Sequence, residues 1–80
     1  MARVRFFAQA RDAAGVRDAE IAGATVAEVL GSAVATYGET FGRVLSVSAI
    51  WLNGEQADPG DPVATDDELA ILPPVSGGGR

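Results

Sequence analysis

The sequence contains no cysteine, no histidine and no lysine; all six of its cations are arginine. Without cysteine there is no disulfide framework, no thiolate nucleophile and no thiolate metal ligand. Without histidine the usual general base and the commonest metal ligand are both missing. Serines are present, but nothing is available to activate one in a Ser-His-Asp arrangement. Carboxylates are left as the acid–base groups, so a self-sufficient enzyme is not expected. Long apolar runs are missing as well, since none approaches the roughly 20 residues needed to span a bilayer. The segment Met1-Ala2-Arg3-Val4-Arg5-Phe6-Phe7 has neither the h-region nor the cleavage site of a signal peptide. The expectation is a soluble cytoplasmic protein with no membrane partner. Positive charge is scarce: the net charge is −5. A nucleic-acid binder needs the opposite sign and a basic stripe, so no nucleic-acid partner is expected. The acidic excess reads as solubility, or as steering toward basic partner surfaces.

What is present is enough for one small domain. Eighty residues with 48% apolar content fit a folded chain with an adequate but thin core. Arg3 to Ala8 reads as a strand, with Val4, Phe6 and Ala8 on one face and Arg3, Arg5 and Phe7 on the other. Arg11 to Gly15 reads as a loop or short helical turn ending at a glycine. Val16 to Ile21 alternates weakly and predicts a second strand paired with the first. Thr25 and Glu28 form a capping-box signature. Val26, Val29, Leu30, Ala33, Val34 and Tyr37 then recur at helical spacing, with Gly38 as the stop. Gly31 within this helix costs about 1 kcal/mol against alanine. Phe41 to Leu45 reads as a connecting segment with a few core anchors. Val47 to Leu52 is a strand ended by the turn pair Asn53-Gly54. Glu55 to Ala57 predicts a short edge strand, and Asp58 to Pro62 a turn-rich loop. Leu69 to Leu72 is a last strand, halted by Pro73-Pro74, which cannot donate ladder hydrogen bonds. The result is an α+β domain over residues 1–74, a sheet covered on one face by one main helix. Residues 75–80 form a C-terminal tail expected to be mobile.

Three segments carry a family resemblance. Phe6-Phe7-Ala8-Gln9, Asn53-Gly54-Glu55 and Pro73-Pro74-Val75-Ser76-Gly77-Gly78 together resemble the MoaD-like sulfur carriers of the MoaD/ThiS group, the small subunits of molybdopterin synthase. The resemblance covers nearly the whole chain, and its most specific part is the Pro-Pro-Val-Ser-Gly-Gly ending. It implies a ubiquitin-like β-grasp fold, with a mixed sheet packed on the main helix. It implies a carrier with no bound cofactor and no metal. An E1-like adenylating enzyme uses ATP on the terminal glycine carboxylate, and a sulfur donor converts it to a thiocarboxylate. The large catalytic subunit of molybdopterin synthase then receives the tail, and sulfur passes to a pterin precursor. Carriers for thiamine or cysteine synthesis, and a ubiquitin-like modifier or interaction module, are the alternatives.

The tail suits such use physically. Pro73 to Gly78 can extend about 20 Å. Pro73 and Pro74 stiffen the base and lower the entropy lost on threading. Val75 and Ser76 continue the motif, and Gly77 and Gly78 allow close backbone approach. By the resemblance, Gly78 is the adenylated and thiocarboxylated residue. The chain continues with Gly79 and Arg80, so that carboxylate is free only after their removal, unless the activating enzyme accepts a longer tail or the two residues are not native.

A docking face is the second expected site. Phe7 points opposite to Val4 and Phe6, and Leu72 opposite to Leu69 and Ile71, placing both on the sheet face away from the helix. An uncovered face with large apolar residues suggests a partner surface. Trp51 reads two ways. Alternation of Ser46 and Ser48 with Val47 and Ala49 puts it inside, whereas the resemblance puts it on the docking face, the position adopted here. Asp66-Asp67-Glu68 reads as a solvated turn, because three adjacent acids do not converge on one point. Arg11 reads either as a pair for a partner carboxylate or as a solvated surface arginine.

Overall fold

The computed structural model describes residues 1–74. Its first strand, β1 (Ala2–Phe6), buries Ala2, Val4 and Phe6 and exposes Arg3 and Arg5. The expected strand ran on to Ala8, and the structure corrects this. Phe7 is extended and caps a helix, α1 (Ala8–Ala14), by accepting hydrogen bonds from the Ala10 and Arg11 amides at 3.0 and 3.4 Å. Ala8 is therefore exposed rather than aligned with Val4 and Phe6. The segment before Gly15 is a seven-residue helix, longer than the turn expected. Gly15 closes it at φ 81°, donating its amide to the Arg11 carbonyl, a left-handed geometry that favours glycine. Strand β2 (Asp18–Ile21) starts two residues later than expected and pairs antiparallel with β1.

Helix α2 (Val26–Tyr37) follows its sequence signature. The Thr25 hydroxyl accepts from the Glu28 amide at 3.2 Å. Glu28 Oε1 accepts from the Ala24 amide at 2.9 Å, one residue earlier than in the standard box. The loop expected at Asp58 to Pro62 adds two further caps: the carbonyls of Asp61 and Pro59 accept from the Val26 and Ala27 amides at 3.0 and 2.9 Å. Four amides at this helix end thus lie within its capping network. Val26, Val29 and Ala33 are buried, and Leu30, Val34 and Tyr37 pack against them.

The segment expected as a connection is a third helix, α3 (Glu39–Ser46). Gly38, at φ 98°, ends α2 and lets the chain start α3 without a loop. The helix places Phe41 in the core with no exposed surface. Phe41, Tyr37 and Phe6 form an edge-to-face trio with centroid separations of 5.5 to 5.6 Å. A β-carbon at Gly42 would approach Val34 to 3.3 Å, so glycine there lets α3 sit close on α2.

The remaining strands are β3 (Ala49–Leu52), β4 (Glu55–Gln56) and β5 (Glu68–Leu72). Asn53 and Gly54, at φ 52° and 85°, make the tight turn between β3 and β4. The strand order is β2-β1-β5-β3-β4, with β1 and β5 parallel and the other pairs antiparallel. This is the α+β arrangement expected, with three helices rather than one main helix. No helix among the described residues is long and apolar enough to cross a membrane.

The turn before β5 is latched. Asp67 accepts from the Ala64 amide at 2.8 Å and from Asn53 Nδ2 at 3.0 Å, while Asn53 Oδ1 accepts from the Glu68 amide at 2.9 Å. These donors hold the Asp67 carboxyl below its ordinary value of 3.8, because they favour the charged form. A carboxyl depressed on folding contributes stability above its ordinary pKa, and that contribution is lost as pH falls through the folded value. Asp67→Asn should therefore melt with a weaker dependence on pH below about 4 than the wild type. A melting profile identical in slope to the wild type across that range would refute the latch. Phe41→Ala should cost about 3–5 kcal/mol in urea unfolding, because it empties a fully buried aromatic site.

Candidate functional site: an open apolar sheet face

All three helices lie against one face of the sheet. The other face carries the alternate residues of each strand, and three large apolar side chains meet there. Phe7, at the end of β1, Trp51 in β3 and Leu72 in β5 are each 37% exposed. Sheet register explains the meeting. Ala70 in the central strand β5 sits opposite Arg5 on one side and Trp51 on the other, and Leu72 sits opposite Ala49. The small Ala70 side chain leaves a depression between larger neighbours. The groove encloses about 330 Å³, with Phe7, Trp51, Ala70 and Leu72 as its apolar lining and Arg5, Asn53, Gly54 and Glu68 at its polar margin.

The polar margin is ordered. The Arg5 guanidinium pairs with Glu68 at 3.3 Å and lies over the Phe7 ring at 5.8 Å. Arg3 pairs with Asp18 and Glu20 at 3.5 and 3.6 Å across β1 and β2. These pairs are exposed, so each contributes little to stability. The Arg5–Glu68 pair neutralises the rim and leaves the apolar floor as the distinguishing feature.

The structure brings Phe7, Trp51 and Leu72 together, as expected for a docking face. Trp51 lies on the open face and not inside, since Ile50 and Leu52 take the helix-facing positions. The competing alternation through Ser46 and Val47 fails because those residues precede β3: Ser46 ends α3, and Val47 is its C-cap. Pro73 is buried and Pro74 exposed where the chain leaves β5. Val75, Ser76, Gly77 and Gly78 lie outside the described residues. Sequence reasoning missed Arg5 and Ala70 as parts of the site. Their signal was the same two-residue alternation that identified Phe7 and Leu72. Asp66-Asp67-Glu68 does not converge: Asp67 turns to Asn53 and Glu68 to Arg5.

No enclosed polar constellation accompanies the groove. Among the described residues no group of three or more carboxylates could hold a metal ion, and no charged side chain is buried. What the face can do is bind apolar surface on another molecule. Because Trp51 is not part of the core, Trp51→Ala should cost only about 1–2 kcal/mol in urea unfolding. A loss as large as that from Phe41→Ala would show that Trp51 holds the fold together and that the groove is not free for binding.

Comparison with known proteins agrees with this geometry. The model of the ThiS family matches residues 4–78. Small archaeal modifier protein 1 from Haloferax volcanii is 33% identical, with 96% of this chain and 98% of that chain covered and a TM-score of 0.81. The same modifier from Methanosarcina acetivorans is 28% identical, with 96% and 95% covered and a TM-score of 0.86. A chain in the complex of subunits 1 and 2 of the molybdopterin-converting factor from Helicobacter pylori is 28% identical, with 96% and 97% covered and a TM-score of 0.70. The chain belongs to the ThiS family, and with it to the MoaD/ThiS-like sulfur carriers of ubiquitin-like β-grasp fold.

Proposed function

We propose that this protein is the sulfur-carrier subunit of a molybdopterin synthase. An E1-like enzyme adenylates the Gly78 carboxylate with ATP, releasing pyrophosphate. A sulfur nucleophile from a donor then displaces AMP and leaves a thiocarboxylate. The tail enters the large catalytic subunit, sulfur passes to a pterin precursor, and hydrolysis returns the carboxylate. Adenylation at Gly78 requires its carboxylate to be free of Gly79 and Arg80. The carrier contributes no catalytic side chain of its own.

The observation that carries this reading is the convergence of Phe7, Trp51 and Leu72 on one open face that ends where the chain leaves the sheet at Pro73. A partner seated there holds the base of the tail. Pro73 and Pro74 stiffen that base, so less entropy is lost when a partner receives the segment that follows. The family match supports the reading because it extends through Gly78. The Helicobacter pylori neighbour supports it because that protein is complexed with a second subunit. Absent cysteine and histidine also fit a chain whose chemistry is supplied by partners.

A second reading, a protein modifier, is favoured by one observation: the 33% identity to the Haloferax volcanii modifier exceeds that to the converting-factor subunit. The two readings separate by mass spectrometry. Incubated with activating enzyme, ATP and a sulfur donor, a chain ending at Gly78 should gain the mass of one oxygen-to-sulfur exchange. A chain ending at Arg80 should not. Persistent absence of the exchange, or a ladder of lysine adducts on other proteins instead, would sink the carrier assignment in favour of the modifier.

A further inference from the structure

A second depression adjoins the apolar groove and differs from it in charge. It encloses about 320 Å³ and is lined by Arg5, Phe6, Phe7, Arg11, Arg17 and Asp18. It shares Arg5 and Phe7 with the groove. It also lies at the end of the sheet from which the chain exits, because the Phe7 amide donates to the Ile71 carbonyl at 3.2 Å. Three arginines therefore gather in one concavity of a chain whose net charge is −5.

The partners of these groups are unequal. Arg5 is paired with Glu68, and Asp18, the one acid in the wall, is paired with Arg3. Arg11 and Arg17 have no carboxylate within ion-pair distance and no side-chain hydrogen bond among the described residues. Acids are not in short supply, since the sequence holds eleven against six arginines. The two arginines that go without an acid are nonetheless neighbours in the same depression. That is the pattern of a site whose counter-charge comes from outside.

We propose that this depression is an acid-recognising corner of the docking face. It receives an aspartate or glutamate side chain from the same partner that covers Phe7, Trp51 and Leu72, and so rests on the docking role assigned to that face. Charge complementarity selects the occupant. The guanidinium fork matches a carboxylate in two parallel hydrogen bonds. The other described arginines are already paired with acids, so the corner orients the partner as well as holding it. Continuity with the groove places the acid beside an apolar contact at Phe7, where water is excluded and the pair strengthens.

The test measures the affinity of the full chain for the large synthase subunit at two salt concentrations. The wild type is compared with Arg17→Gln, with Arg17→Glu and with Arg11→Gln/Arg17→Gln. Both side chains are exposed, so the melting temperature should hold. The double variant should bind about tenfold or more weakly, with a shallower dependence on salt, and Arg17→Glu should be worse than Arg17→Gln alone. Wild-type affinity and salt slope in all variants overturn the inference while leaving the carrier assignment intact. Failure of the wild type to bind the large subunit overturns both. Inorganic phosphate and ATP titrated into the free chain test the other anion. Saturable binding that the double variant loses assigns the corner to phosphate and overturns its assignment to a protein acid.

Discussion

The fold turns on one contact, the edge-to-face packing of Phe6, Tyr37 and Phe41. Each ring comes from a different element: β1, the last turn of α2, and α3. Edge-to-face geometry sets the positive rim of one ring against the negative face of another, adding to the area each ring buries. In an 80-residue chain few other groups can join three elements at once. The trio fixes the sheet beneath both longer helices, and Gly38 and Gly42 serve it. The first turns the chain so that α3 starts at once, and the second lets α3 lie against Val34. With the helices held to one side, the other face of the sheet is left open.

That division gives the two sheet faces different tasks. Val4, Leu69 and Ile71 are fully buried under the helices and supply much of the stability. Their neighbours one residue away, Arg5, Ala70 and Leu72, contribute less to the core and line the open groove together with Phe7. A recognition surface on strands is rigid, so little ordering is left to oppose binding. The ion pairs at its margin resist non-specific association without closing the groove. The open face can therefore vary with little effect on the fold.

A chain without cysteine, histidine or lysine offers few reactive side chains, and most of its described carboxylates are engaged in helix caps, turns and surface pairs. Among the described arginines, Arg3, Arg5 and Arg43 are paired, whereas Arg11 and Arg17 are the ones without an acid partner. In an acidic protein they make a local reversal of sign beside the apolar groove, and that is where electrostatics can distinguish one orientation of a partner from another.

Helix α2 was legible in the sequence because its capping box and apolar stripe are local features, and the strands because alternation has a period of two. The proline-proline-diglycine ending was legible because it is a contiguous motif. Helices α1 and α3 were not. One is short and alanine-rich, leaving little contrast to read. The other follows Gly38 directly and carries Gly42 in its middle. Position within β3 decided the orientation of Trp51, and alternation counted from Ser46 misled because that residue is still helical. The parallel pairing of β1 with β5, distant in sequence, was beyond any local pattern. Sequence alone therefore determined helix α2, most of the strands and the tail motif, since these follow from local chemistry. Only the tertiary structure decided that Phe7, Trp51 and Leu72 form one groove with a basic corner beside it, because strand order and register, which no local pattern encodes, bring them together.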